Sequence, residues 1–74
     1  MSAKSRPTAC RNDTVRVLRI AGHPLLIRRL AALGVVPGAM LTVLKPRHPT
    51  IVSLGGARIA IGRSAAAAVE IEVS

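Results

Sequence analysis

The sequence predicts a mainly β protein: a small five-stranded barrel with one inserted α-helix and a short helical turn before the last strand. Three observations carry that expectation. Beyond residue 13 the 74-residue chain alternates apolar and polar positions in short runs, the pattern of half-buried strands. Only residues 24–33 switch to a helical period. Gly and Pro stand between the runs, at Gly22, Gly34, Pro37-Gly38, Pro46, Pro49 and Gly55-Gly56, where the chain must turn. A chain this short forms one domain that buries roughly 60% of its unfolded surface. It is too small for a sandwich, so its strands are expected to close on themselves.

Residues 1–13, MSAKSRPTACRND, are polar, mostly basic and without apolar period, as expected of a flexible arm that joins the fold near Thr14. Thr14–Ile20 is the first strand. Val15 and Val17 are out of phase with Leu18 and Ile20, which predicts a bulge or an early end. Pro24, favoured at a first helical position, opens the helix. Leu26, Leu30 and Leu33 fall at i, i+4 and i+7 as a buried stripe with Ile27 beside it, and Leu25, Arg28, Arg29 and Ala32 face the other way. Gly34 is placed to end the helix in the left-handed conformation, and Pro37-Gly38 fits the central pair of a type II turn.

Strands follow to the end. Ala39–Lys45 turns Leu41 and Val43 inward, and the turn from Lys45 to Pro49 leads into Thr50–Leu54. Gly55-Gly56 makes a tight hairpin into Ala57–Ile61, with Ile59 and Ile61 inward. Ala65–Ala67 has the composition for one helical turn. Ala68–Val73 closes the chain with Val69, Ile71 and Val73 inward and Glu70 and Glu72 outward. This order of elements is that of an SH3-like barrel.

Half the residues are hydrophobic, but Phe, Tyr and Trp are absent, so the core is aliphatic and no ring is present to stack a base or a flavin. Eleven Lys and Arg against three acidic residues give a net charge of +8, which favours an anionic partner. Specific nucleic-acid recognition is not expected, because the Arg residues are scattered and stacking, worth ~1–3 kcal/mol per base, has no platform. Cys10 is the one cysteine and no apolar leader follows the N-terminus, which points to the cytoplasm. No apolar run approaches the ~20 residues of a membrane span, so the protein is peripheral to a membrane at most.

Catalysis has little to build on. The only imidazoles and carboxylates are His23, His48, Asp13, Glu70 and Glu72, and the two Glu share one exposed strand face instead of forming an acid and base pair. Ser53 and Ser64 lack a Gly-x-Ser-x-Gly setting, and no phosphate-cradling loop is present. Cys10, His23 and His48 have no metal-ligand spacing. The sequence therefore assigns no catalytic residue, no metal ligand and no cofactor.

The run RRLAALGVVPG, followed by a strand, a hairpin and the closing AAAVEIEV, resembles the FeoA family of ferrous-iron transport, over about Val15 to Val73. The matching positions are Leu30, Leu33, Gly34, Pro37 and Gly38 at the corner, and Ala67, Val69 and Ile71 at the end. The turn from Lys45 to Thr50 is shorter than is common in the family, and His48 stands where relatives often carry an acid. A similar barrel forms the C-terminal domain of iron-dependent repressors. The resemblance implies a non-enzymatic cytoplasmic module whose partner is the cytosolic GTPase region of the FeoB permease, with weak self-association left open. It implies that the helix and corner form the exposed shoulder that meets a partner. Read from the residues themselves, the face of Leu25, Arg28, Arg29 and Ala32 is a candidate docking face, with Leu25 as anchor and the two Arg as carboxylate ligands, and Arg47 and His48 of the loop are further candidate contacts. The two other classes weighed are a basic nucleic-acid-binding barrel and a repressor-type domain that binds a peptide segment.

Overall fold

Alternation of β-branched and polar residues decides which side of each strand is buried. The computed structural model describes residues 2–3, 10–47 and 49–73. Its elements are β1 (Ser2–Ala3), β2 (Thr14–Ile20), α1 (Pro24–Ala32), β3 (Met40–Lys45), β4 (Thr50–Leu54), β5 (Ala57–Ile61), α2 (Arg63–Ala68) and β6 (Val69–Val73). Val15 and Val17, Leu41 and Val43, Val52, Ile59 and Ile61, and Val69 and Ile71 project from the strands into one aliphatic core. Leu30 of α1, Val35 of the corner and Ala66 of α2 complete it. Among the described residues no helix is long and apolar enough to cross a membrane.

The strands form one sheet in the order β1-β6-β2-β3-β4-β5. Five of them pair antiparallel, and β1 lies parallel to β6 through Ser2 opposite Glu70 and Ala3 opposite Ile71. The expected mainly β fold is present, with five antiparallel strands, one inserted helix and a short helical segment before the last strand; the two-residue β1 adds a sixth strand, and only the closure into a barrel is corrected, because the sheet is open. After Ile61 the chain leaves β5 for α2, and among the described residues no ladder joins β5 back to the other edge. Most of the predicted arm lies outside the described residues. Where it is described, the N–H of Asn12 donates to Val43 O at 2.7 Å, and the N–H of Val43 donates to Asp13 O at 2.9 Å. Pairing with β3 therefore begins before Thr14.

The expected bulge in β2 is present, as a register shift between Val17 and Arg19 against β6. It coincides with the corner. The N–H of Val17 donates to Ala39 O at 2.9 Å and the N–H of Gly38 donates to Val17 O at 2.7 Å, so Pro37-Gly38 is stitched to β2 where its ladder is irregular. Gly38 has φ +90°, and the N–H of Ala39 closes the turn on Val36 O at 3.0 Å, the geometry expected of a type II turn.

Helix α1 opens with His23 as its N-cap, whose Nδ1 accepts the N–H of Leu25 at 3.1 Å, and with Pro24 in the first turn. It closes one residue earlier than expected. The N–H of Gly34 donates to Ala31 O and that of Val35 to Leu30 O, the paired bonds of a Schellman motif, with Gly34 at φ +91°. This corrects the place of Leu33. As the C-cap it keeps right-handed backbone angles but is 51% exposed, while Val35, folded back beyond Gly34, is fully buried.

Candidate functional site

Around α1, Leu30 marks the buried direction, with Leu26 and Ile27 half-buried beside it. At 100° per residue, Leu25, Arg28, Arg29 and Ala32 fall on the opposite side, and all four are exposed, Leu25 by 49%. Further apolar residues are exposed at the corner and beyond it. Leu33 and Val36 are both exposed, and Met40 stands outward on β3, opposite Arg16 of β2.

The sequence expectation did not mark these three residues as exposed. Leu33 sits next to Gly34, which ends the helical period, so counting i+7 from Leu26 overran the helix. Met40 was legible in principle, because alternation from Leu41 and Val43 turns it outward. Val36 leaves no such signal; only the closed turn shows that it sits on the rim of the corner.

The placement of charge separates the cations into two groups. Arg16 Nη2 lies 2.9 Å from Glu72 Oε1, and Arg19 Nε lies 2.5 Å from Glu70 Oε2, directly across the β2–β6 ladder. Asp13, the third acid, accepts the N–H of Cys10 at 2.6 Å. All three carboxylates are therefore engaged by their own neighbourhood. Arg28 and Arg29 have no ion pair among the described residues.

Of the loop positions, Arg47 is exposed between β3 and β4, and His48 lies outside the described residues. A Cβ built on Gly34 would stand 2.8 Å from Leu54 Cδ2, so the helix end rests over the hairpin end of β4. Arg47 precedes the other end of that strand. The structure brings Leu25, Arg28, Arg29 and Ala32 together and leaves Arg47 away from the corner.

The interior offers less. Among the described residues Thr50 is the buried polar one, and its hydroxyl donates to Pro46 O at 3.5 Å. Among the described residues no buried side-chain nitrogen or oxygen lacks a hydrogen-bond partner, and no three His, Cys, Asp or Glu gather to hold a metal.

The FeoA domain family model matches residues 8–73. Among solved structures, the iron uptake regulatory protein FeoA shares 34% identity at a TM-score of 0.76, covering 88% of this chain and 87% of its own. The FeoA protein from Chlorobium tepidum shares 29% identity at a TM-score of 0.77, and this chain spans 65% of it. Iron(II) transport protein A from Clostridium thermocellum, at 22% identity and a TM-score of 0.79, shares the fold over 42% of its length. No curated protein sequence matches the chain.

Proposed function

This chain belongs to the FeoA family, whose role is in ferrous-iron transport, and from that premise we propose that it is a non-enzymatic cytoplasmic accessory module that docks on the cytosolic GTPase region of a FeoB-type permease. The observation that carries the docking reading is the outward face of α1. An exposed Leu25 shares that face with Arg28 and Arg29, which have no ion pair among the described residues.

A leucine anchor ringed by guanidinium groups suits a partner surface with an apolar pocket bordered by Asp or Glu. The pocket desolvates the leucine, and each Arg offers a planar fork to a carboxylate. Regulation then requires that one conformation of the partner carry that pocket and the other not, since only differential affinity shifts an equilibrium. The rigid seat for this face is the corner: the Schellman close of α1, the Gly38 turn and their ties to Val17 fix the helix against the sheet.

Calorimetry of the full chain with the cytosolic region of its cognate permease tests the reading. Saturable binding is expected at physiological salt, and Arg28→Glu/Arg29→Glu is expected to weaken it about 100-fold or more, since uncoupling a buried charge pair costs ~2–5 kcal/mol. The double variant should melt like the parent. Undiminished binding by a folded double variant would remove this face from the proposal. Affinity for an oligonucleotide but not for the permease region, collapsing with salt, would replace docking by phosphate-backbone contact.

A further inference from the structure

The edge strand β5 is a second place where the fold is chemically incomplete. The two-residue turn Gly55-Gly56 makes Leu54 and Ala57 a hydrogen-bonded pair, and bonded and non-bonded pairs alternate along an antiparallel ladder. Val52–Ile59 and Thr50–Ile61 are therefore the other bonded pairs. Arg58 and Ala60 fall between them, with their N–H and C=O groups directed away from β4. Among the described residues, none of the turn, loop or cap hydrogen bonds uses those groups, and no strand pairs with that side of β5.

The side chains along this edge say what fits it. Ala57, Arg58 and Ala60 are exposed, and two of the three are too small to obstruct an approaching backbone. Ile59 and Ile61 point into the core from its last strand. Arg58 lies on the outer face opposite Ser53, and Arg63 begins α2 just beyond the strand. Lys45, paired with Ile51, shares the outer row that ends in Ala60. None of the chain's three acids is on β3, β4, β5 or α2.

The opposite half of the sheet shows how this chain satisfies such an arginine. Arg16 and Arg19 of β2 each face a Glu across the ladder, supplied by the alternating sequence Val-Glu-Ile-Glu-Val of β6. Arg58 has the same outward position and no cross-strand acid.

We propose that the β5 edge, through the backbone of Arg58 and Ala60 and the guanidinium of Arg58, takes up an extended acidic segment of another protein as an added antiparallel strand, with acidic side chains alternating with apolar ones. The incoming backbone completes the four unused hydrogen bonds, its acids meet Arg58 on the outer face, and its apolar residues cover the rim beside Ile59. Arg58 also selects against the wrong occupant. A second copy carries a net charge of +8 and would bring another Arg58 to the same face of the joined sheet. This surface lies on different elements from the α1 face, so either assignment stands or falls without the other.

The test is an amide-resolved NMR titration of the full chain with a capped peptide of about six residues alternating Glu and Val, and with its Lys-Val counterpart. The acidic peptide is expected to give saturable shifts and slowed hydrogen exchange at Arg58 and Ala60, and the basic one none. Arg58→Glu should weaken binding about tenfold by turning attraction into repulsion. Ala60→Pro removes an N–H directed away from β4, so it should weaken binding by a similar factor while leaving the hairpin paired. Shifts confined to α1, equal binding by the folded Arg58→Glu variant, or protection of the β5 amides by self-association without peptide would each overturn the proposal.

Discussion

Gly34 carries two demands that no other residue type meets together. Its φ of +91° is the left-handed conformation that lets the Schellman bonds form, and an added Cβ would run into Leu54 at 2.8 Å. Gly34→Val should therefore lower stability by about 1–3 kcal/mol from the backbone alone, with a further loss as the Leu54 side chain is displaced. Gly38 has a similar φ of +90° but nothing within 4 Å of a built Cβ, so Gly38→Ala should cost less than Gly34→Ala. Urea unfolding of the two alanine variants checks that order. At the other end of the helix, His23→Ala removes the acceptor for Leu25 N–H and should cost about 1 kcal/mol, with His23→Asp restoring the cap. Gly34 was legible because Gly follows the last periodic residue. The cap made by His23 was not, since histidine is an uncommon N-cap and the signal came from Pro24 alone.

At the scale of the element, the strands were legible wherever β-branched residues alternate, and the β2 bulge was legible because the phase of Val15 and Val17 breaks before Ile20. The two-residue β1 is too short to carry a period. The second register shift, between Val43 and Lys45 against β4, is likewise invisible in a run of apolar residues. The α1 face was read correctly from the 3.6-residue period up to Ala32. It failed at Leu33, where the chain leaves the helix. The β2–β6 pair also lets packing be weighed against charge. Ile71 of β6 is almost fully buried, and Ile71→Ala should cost ~2–5 kcal/mol, a large share of a small domain's stability. Its neighbour Glu72 is 42% exposed beside Arg16, and Glu72→Ala should cost less than about 1 kcal/mol. Thermal melts of the two variants should differ plainly, the first unfolding well below the second.

For the whole molecule, the expected barrel became an open sheet because closure depends on where the chain goes after β5, and a run of alanines in α2 does not specify that in the sequence. The charge balance was legible, and the structure adds that both strand glutamates are spent on β2. The remaining cations, among them Arg11, Arg28, Arg29, Lys45, Arg47, Arg58 and Arg63, repel one another. Raising salt from low to physiological strength should therefore raise the melting temperature, since screening relieves more repulsion than attraction. A fall would mean that the two cross-strand ion pairs outweigh the excess positive charge. The central claim is that this FeoA-family chain works by presenting the outward side of α1 to its permease. The most direct measurement is an amide-resolved titration of the full chain with the cytosolic region of the permease at physiological salt. The account predicts saturable shifts centred on Leu25, Arg28, Arg29 and Ala32 and extending to Leu33 and Val36. Saturable binding that leaves those amides unmoved would contradict it.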